Sequence, residues 1–360
     1  MDQCEKLLDW YHRNRRELPW RNTGDPYKIW LSEVMLQQTR VEQGLGYYLR
    51  FLEAFPDVHA LAAAPQDEVL KLWQGLGYYS RARNLHETAK RISRDYNGKF
   101  PGDYSGLISL KGIGPYSAAA IASIAFNQAV PVIDGNVMRV ISRWFAIEEP
   151  VNSGPGKKAV QHILEELIDR KHPGKFNQAL MEFGALHCKP QNPDCGGCIF
   201  KAQCMAFQQK KVDVLPVKMK KKLQTTRFFC YLYIRQETAS GYHTFLRKRS
   251  AQDIWKGLYE FPLIESKTGS DPDQIIQTTD WKNLFGKTGI HINKVYPQVK
   301  HHLTHQLIKA MFIEIEVDPA GQFPWLIRIP EHELGSYPVP RLIDRFIHAR
   351  LQGLPSRTSN

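Results

Sequence analysis

Four of the six cysteines fall within one 17-residue stretch, Cys188-x6-Cys195-x2-Cys198-x5-Cys204. Thiolates are soft donors, and a set this dense lets one short loop wrap a single inorganic core. A disulfide framework suits a short secreted chain, whereas this one has 360 residues and opens on Met1-Asp2-Gln3-Cys4-Glu5, which is not an apolar leader. Structural zinc is the nearer rival, but it favours paired C-x2-C knuckles, and only Cys195 and Cys198 form one here. Cys4 and Cys230 stand far from the loop and read as buried free thiols.

Two carboxylates have settings suited to proton or charge chemistry. Glu33 lies in Trp30-Leu31-Ser32-Glu33-Val34-Met35-Leu36-Gln37-Gln38-Thr39, and its helical neighbours Ile29, Trp30, Leu36 and Gln37 are mostly apolar. Most glutamates are solvated; one on an apolar face keeps its proton toward neutrality, as a general acid must. Asp134 precedes Gly135, an ordinary place for a helix cap or a turn. A carboxylate fixed there could also stabilise the positive charge that builds on a sugar as an N-glycosidic bond breaks. Between the two, Leu110-Lys111-Gly112-Ile113-Gly114-Pro115 leads into a small-residue helix, Ala118 to Phe126. Gly112 and Gly114 permit close backbone approach, and a helix opened by Pro115 points unpaired N–H groups outward, where a phosphate can sit.

The elements that must position these groups change character along the chain. Up to about Phe207 the apolar residues recur at helical spacing, with start signals such as Asp25-Pro26 and Gly114-Pro115. Residues 209–222 then carry six lysines and one acid and read as a solvated linker. Strand-like runs follow at Phe228 to Ile234, Thr244 to Arg247 and Leu307 to Val317, and a closing helix carries Leu342, Ile343, Phe346 and Ile347. The expected architecture is multidomain: an all-α domain over 1–207, a basic linker over 208–225, a small α+β domain over 226–352 and a tail over 353–360. Lys plus Arg number 48 against 36 Asp plus Glu, a net charge of +12 that favours a polyanionic partner. No apolar run is long enough to span a bilayer, so the expectation is a soluble, cytoplasmic, DNA-associated protein without membrane contact.

Hairpin, Asp134 and cysteine loop, in this order, resemble the endonuclease III superfamily of helix-hairpin-helix-GPD DNA glycosylases, whose C-x6-C-x2-C-x5-C loop carries a [4Fe-4S] cluster. By that resemblance Cys188, Cys195, Cys198 and Cys204 are its ligands, Gly112 and Gly114 grip a DNA phosphate, and Asp134 is the superfamily's aspartate. The segment around Glu33 is similar to the catalytic segment of MutY-type adenine DNA glycosylases, in which the glutamate protonates adenine N7. Similarity to that family extends through Leu18-Pro19-Trp20-Arg21, Trp73 to Leu85 and Phe176 to Ala185. It implies that Arg16, Trp20, Arg21 and Glu182 frame an extruded adenine, with Leu36, Tyr116 and Asn136 also meeting substrate, and that Gln38 and Tyr78 wedge into the opened stack. Tyr116 stands where endonuclease III-type enzymes place a Schiff-base lysine, which implies a monofunctional hydrolase.

The second domain resembles a Nudix-like fold from Leu246-Arg247-Lys248-Arg249 to Trp255-Lys256-Gly257-Leu258-Tyr259-Glu260-Phe261-Pro262, without the acidic box that binds metal for pyrophosphate hydrolysis. Leu303-Thr304-His305 stands where the family has a Phe-Ser-His loop against 8-oxoguanine; Thr304 and His305 keep the hydroxyl and imidazole, and Leu303 lacks the ring. His301, His302 and His305 lack a carboxylate or thiol companion, which argues against zinc. The expectation is an adenine DNA glycosylase of base excision repair, acting as a monomer on duplex DNA that holds adenine opposite 8-oxoguanine or guanine. The alternatives are a glycosylase/lyase for oxidised pyrimidines and a non-catalytic iron–sulfur protein that binds DNA or carries electrons.

Overall fold

The structure, a computed structural model, describes residues 2–219, 224–250, 252–266, 269 and 271–351. Residues 220–223 of the basic linker and the expected tail lie outside the described residues. The chain forms two compact units that do not follow chain order. Residues up to Ala63 and from Asn84 to the linker make the first; Ala64–Arg83 and the residues after the linker make the second.

The first unit is helical. Proline opens Pro26–Leu36, Pro115–Phe126 and Pro173–Leu186, where its missing N–H costs nothing. Asp25 caps the first of these through Tyr27 N, and Asp134 caps Gly135–Trp144 through Val137 N. A core of Leu7, Trp10, Val140, Ile141, Trp144, Val160, Leu164, Leu180, Phe183 and Phe200 joins Gln3–Asn14, Gly135–Trp144, Gly154–Leu167 and Pro173–Leu186. Each large apolar side chain so buried contributes roughly 1.5–3 kcal/mol before entropy is counted. Pro115–Phe126 is buried from Ser117 through Ser123, which its run of alanines permits by leaving neighbours close on every side. Gly184 lets Pro173–Leu186 meet the start of Gly135–Trp144; a Cβ there would stand 2.7 Å from Asn136 Cβ.

The second unit is built on a mixed sheet of eight strands among the described residues: β1 Thr225–Thr238, β2 Gly241–Lys248, β3 Tyr259–Glu260, β4 Leu263–Ser266, β5 Ile290–Val295, β6 Val299–His302, β7 Gln306–Val317 and β8 Ile327–Pro330. The main path runs β3-β2-β1-β7-β5, with β1 and β7 parallel from Thr225↔Gln306 to Gln236↔Val317. β1 is buried without interruption from Phe229 to Ile234, which marks a strand covered on both faces. Cys230, Leu232 and Ile234 pack with Trp281 and Phe285 of Thr279–Phe285. From the alternate positions, Tyr233 meets Phe346 of Arg341–Leu351 at 5.6 Å between ring centres. Helical spacing alone sets Ala64–Arg83 among the helices of the first domain, but its polar side chains are satisfied by the later chain. Lys248 Nζ donates to Asp67 Oδ1 at 2.6 Å, Gln74 Nε2 to Asp344 Oδ1 at 2.6 Å, and Arg83 Nη1 to Lys256 O at 2.6 Å. No helix among the described residues is long and apolar enough to cross a membrane.

Candidate active site

A cavity of about 280 Å3 opens in the first unit, lined by Glu33 and Asp134 together. Glu33 comes from the last turn of Pro26–Leu36 and is 8% exposed. Burial pushes its carboxyl from the usual 4.5 up to about 7; a hydrogen bond with Tyr116 works against that shift, the Asp134 charge adds to it and Arg21 opposes it. Burial also raises Asp134, but its oxygens accept from Val137 N at 2.7 Å and Asn136 Nδ2 at 2.8 Å, and these bonds favour the carboxylate. Tyr116 lines the cavity beside both acids, and burial together with their charges lifts its hydroxyl well above its ordinary value. One acid thus shares its proton near neutrality while the other is held by donors, a division of roles that suits acid catalysis beside a developing cation.

Glu182 organises the entrance residues. It is 1% exposed and accepts from Arg16 Nη2 and Arg21 Nη2, each at 2.6 Å, with further bonds from Arg16 N, Arg16 Nε and Arg21 Nη1. Burial alone would raise its carboxyl, yet the bonds from Arg21 and Arg16 prevail and hold it at about 2. The bidentate forks fix both guanidinium planes in the cavity wall. Trp20 is 6% exposed and packs edge-on to Tyr48 at 5.1 Å, so its ring orientation is set by the core.

The four loop cysteines are half-buried free thiols, and each of Cys188, Cys195 and Cys204 adds its charge at Cys198. Burial raises Cys195, Cys198 and Cys204, and their mutual charges raise Cys195 and Cys198 further. Among the described residues no three His, Cys, Asp or Glu side chains converge as a single metal ion needs. Four half-buried thiols on one short loop fit the donor chemistry of an iron–sulfur core, which is larger than one ion. Arg143, 3% exposed, braces the start of the loop by donating to Lys189 O at 2.6 Å, Pro190 O at 3.0 Å and Cys188 Sγ at 3.5 Å, and beyond the loop it donates to Leu215 O at 3.0 Å. In the hairpin, Gly112 has φ +80° and a Cβ would stand 2.5 Å from Asn84 Cβ, so the turn requires glycine. A Cβ at Gly114 would meet nothing within 4 Å, so the space beside the N-terminus of Pro115–Phe126 is open.

Comparison with known proteins gives the family. Residues 31–170 match the HhH-GPD superfamily base excision DNA repair protein family, and residues 230–349 match the NUDIX domain. The adenine DNA glycosylase of Buchnera aphidicola subsp. Baizongia pistaciae is 37% identical over 306 residues, which cover 84% of this chain and 82% of that protein. That of Buchnera aphidicola subsp. Schizaphis graminum is 34% identical over 94% of this chain and 97% of its own. The chain belongs to the adenine DNA glycosylase family. A solved thermostable thymine-DNA glycosylase matches with a TM-score of 0.53 at 29% identity, over 57% of this chain and 95% of that one.

Of the residues that family resemblance singled out, the cavity gathers Arg16, Trp20, Arg21, Leu36, Tyr116, Asn136 and Glu182 around the two acids. Gln38 does not line it; it is exposed, at φ 57°, just past Pro26–Leu36. Tyr78, 44% exposed at φ 49°, lies in the second unit, where its hydroxyl shares a hydrogen bond with Thr304 Oγ1. Such backbone conformations in non-glycine residues cost free energy and concentrate at functional positions. Thr304 and His305 are exposed in the turn between β6 and β7 and are not part of the cavity. Sequence reasoning missed Gln178 and Met181, which line the cavity one turn and one residue before Glu182 on the same helix, a spacing that could have found Gln178. It also missed Arg139, 9% exposed, which donates to Asn136 Oδ1 at 2.9 Å, Gly184 O at 2.7 Å and Cys188 O at 2.8 Å.

Proposed function

We propose that this chain removes adenine mispaired with 8-oxoguanine, and with guanine, from duplex DNA by hydrolysing its N-glycosidic bond. The observation that carries the reading is Glu33, buried in a cavity beside Asp134 with its carboxyl pushed up to about 7. Adenine leaves the base stack and enters the cavity between the Arg16/Arg21/Glu182 wall and the acids. Glu33 gives its proton to N7, so that the electron pair of the breaking C1′–N9 bond ends in a neutral leaving base. Asp134 stabilises the oxocarbenium-like sugar. Water then adds to C1′, and its proton returns to the Glu33 carboxylate. Tyr116, whose hydroxyl keeps its proton, offers no nucleophile, so removal stops at the abasic sugar.

Cys188, Cys195, Cys198 and Cys204 would hold a [4Fe-4S] cluster, which ties the end of the helical unit together and supplies no step of the hydrolysis. The Gly112–Gly114 hairpin would take a backbone phosphate, Gln38 and Tyr78 would fill the vacated stack, and Thr304 and His305 would meet 8-oxoguanine. The cavity is lined by residues of one chain, which supports action as a monomer on DNA. The test is single-turnover excision on duplexes with adenine opposite 8-oxoguanine, guanine and thymine. Adenine release from the first two, abolished in Glu33→Gln with mispair binding retained, is expected. Undiminished release by Glu33→Gln would overturn the mechanism, and efficient strand cleavage before alkali or heat would overturn the monofunctional reading.

A further inference from the structure

The segment that delivers Asp134 to the cavity has no regular structure of its own. Between Pro115–Phe126 and Gly135–Trp144 the chain is neither helix nor strand, so its buried backbone groups need partners from elsewhere. Asn177, on the helix Pro173–Leu186 and 1% exposed, supplies them. Its Oδ1 accepts from Val132 N at 3.0 Å, and its Nδ2 donates to Val130 O at 2.9 Å and to Ser123 Oγ at 2.9 Å. Val130 O and Val132 N are the pair of groups that a neighbouring strand would bond, so one side-chain amide does the work of a strand. The same helix presents Gln178, Met181 and Glu182 to the cavity. Asn177 therefore references the approach to Asp134 against the wall that holds the base, two residues before the carboxylate.

We infer that Asn177 is a positioning residue for Asp134, setting where its carboxylate stands relative to the sugar of the bound nucleotide. This rests on the reading of Asp134 as the group that stabilises the cationic sugar. A displaced catalytic group costs on the order of 10²-fold per ångström. Asn177→Leu, which keeps the volume and removes all three bonds, is expected to slow single-turnover excision about 10- to 100-fold. Mere loss of structure would also slow it, so the deciding readout is discrimination between two abasic-site analogues in duplex DNA, a cationic pyrrolidine and a neutral tetrahydrofuran. A group that stabilises the cationic transition state favours the charged analogue. The full-length protein should prefer the pyrrolidine, Asp134→Asn should lose that preference, and Asn177→Leu should lose most of it while binding the tetrahydrofuran duplex as before. The double variant should lose no more than Asp134→Asn alone. Asn177→Ser, which keeps a hydroxyl but cannot span Val130 and Val132, should move in the same direction and carries the test where the leucine variant folds poorly. Preference retained in the Asn177 variants but lost in Asp134→Asn would overturn this inference alone. Preference retained in Asp134→Asn would overturn the role of Asp134 and this inference with it.

Discussion

Burying an ionisable acid for catalysis destabilises the fold over a definite pH range, and Glu33 allows that cost to be measured. Its carboxyl stands at about 7 in the folded protein against an ordinary 4.5. Below pH 4.5 it is protonated whether the chain is folded or not, and it contributes no pH dependence. Between 4.5 and about 7 the unfolded chain has released the proton that the folded chain still holds, so stability falls as pH rises. The difference, at about 1.4 kcal/mol per pH unit, amounts to about 3 kcal/mol lost above pH 7. Glu33→Gln keeps the shape and cannot ionise. Relative to the unmodified protein it should therefore gain about 3 kcal/mol between pH 4.5 and pH 8, while excision is abolished. For a domain of 150–250 residues this is a rise of roughly 6–12 °C in the difference between the two melting midpoints. The assay is thermal unfolding of both proteins across that range, followed by a signal from the helical unit. Parallel midpoint curves would refute the argument, because they would mean that Glu33 titrates alike folded and unfolded and holds no stored proton for the base.

Three further outcomes follow from the same geometry. Removing one partner of a buried ion pair leaves the others uncompensated, so Glu182→Gln should cost about 3–5 kcal/mol in denaturant unfolding at neutral pH. Because its folded carboxyl stands at about 2, the unmodified protein should also lose stability as pH falls from 4.5 through that value, and the variant should not. Gly112→Ala must force φ +80° on a side chain facing Asn84, so it should destabilise the unit by about 1–3 kcal/mol and weaken binding to any duplex, mispaired or not, in a filter-binding titration. Arg143→Leu strips three loop acceptors of their donor and should lower iron content and visible absorbance of the purified protein; full iron loading would show that the thiols need no such brace.

The two acids were legible in the sequence because their settings are local. Glu33 has apolar neighbours one turn away on either side, and Asp134 sits before a glycine that opens a helix; both properties survive translation into three dimensions. The partners of Glu182 were not legible from spacing, since Arg16 and Arg21 lie more than 150 residues earlier and only family resemblance joined them. Arg139 and Arg143 were not singled out in the sequence, for a different reason. At helical spacing an arginine signals a solvated face, and the acceptors that make burial tolerable here are carbonyl oxygens, which have no sequence signature. Ala64–Arg83 shows the same limit at larger scale. Periodicity says that it is helical but not which core it serves, and Asp67, Gln74 and Arg83 find their partners among residues 248–344.

These buried arginines also connect the cysteine loop, proposed above to hold an inorganic core, with the residues proposed to carry the hydrolysis. Arg139 bonds Asn136, which itself bonds Asp134, and the same guanidinium holds Cys188 O and Gly184 O. Arg143, one turn on, holds the two residues after Cys188. The helix that Asp134 caps is therefore anchored on one side by the cysteine loop, while Asn177 fixes the chain that enters it from the other. In the proposed mechanism the Asp134 carboxylate stays charged beside a forming cation and cannot rely on a flexible turn, because any movement toward water would weaken the field it exerts. On that proposal the cysteine loop stiffens the platform on which Asp134 stands, and its part in the reaction is mechanical support for an electrostatic catalyst.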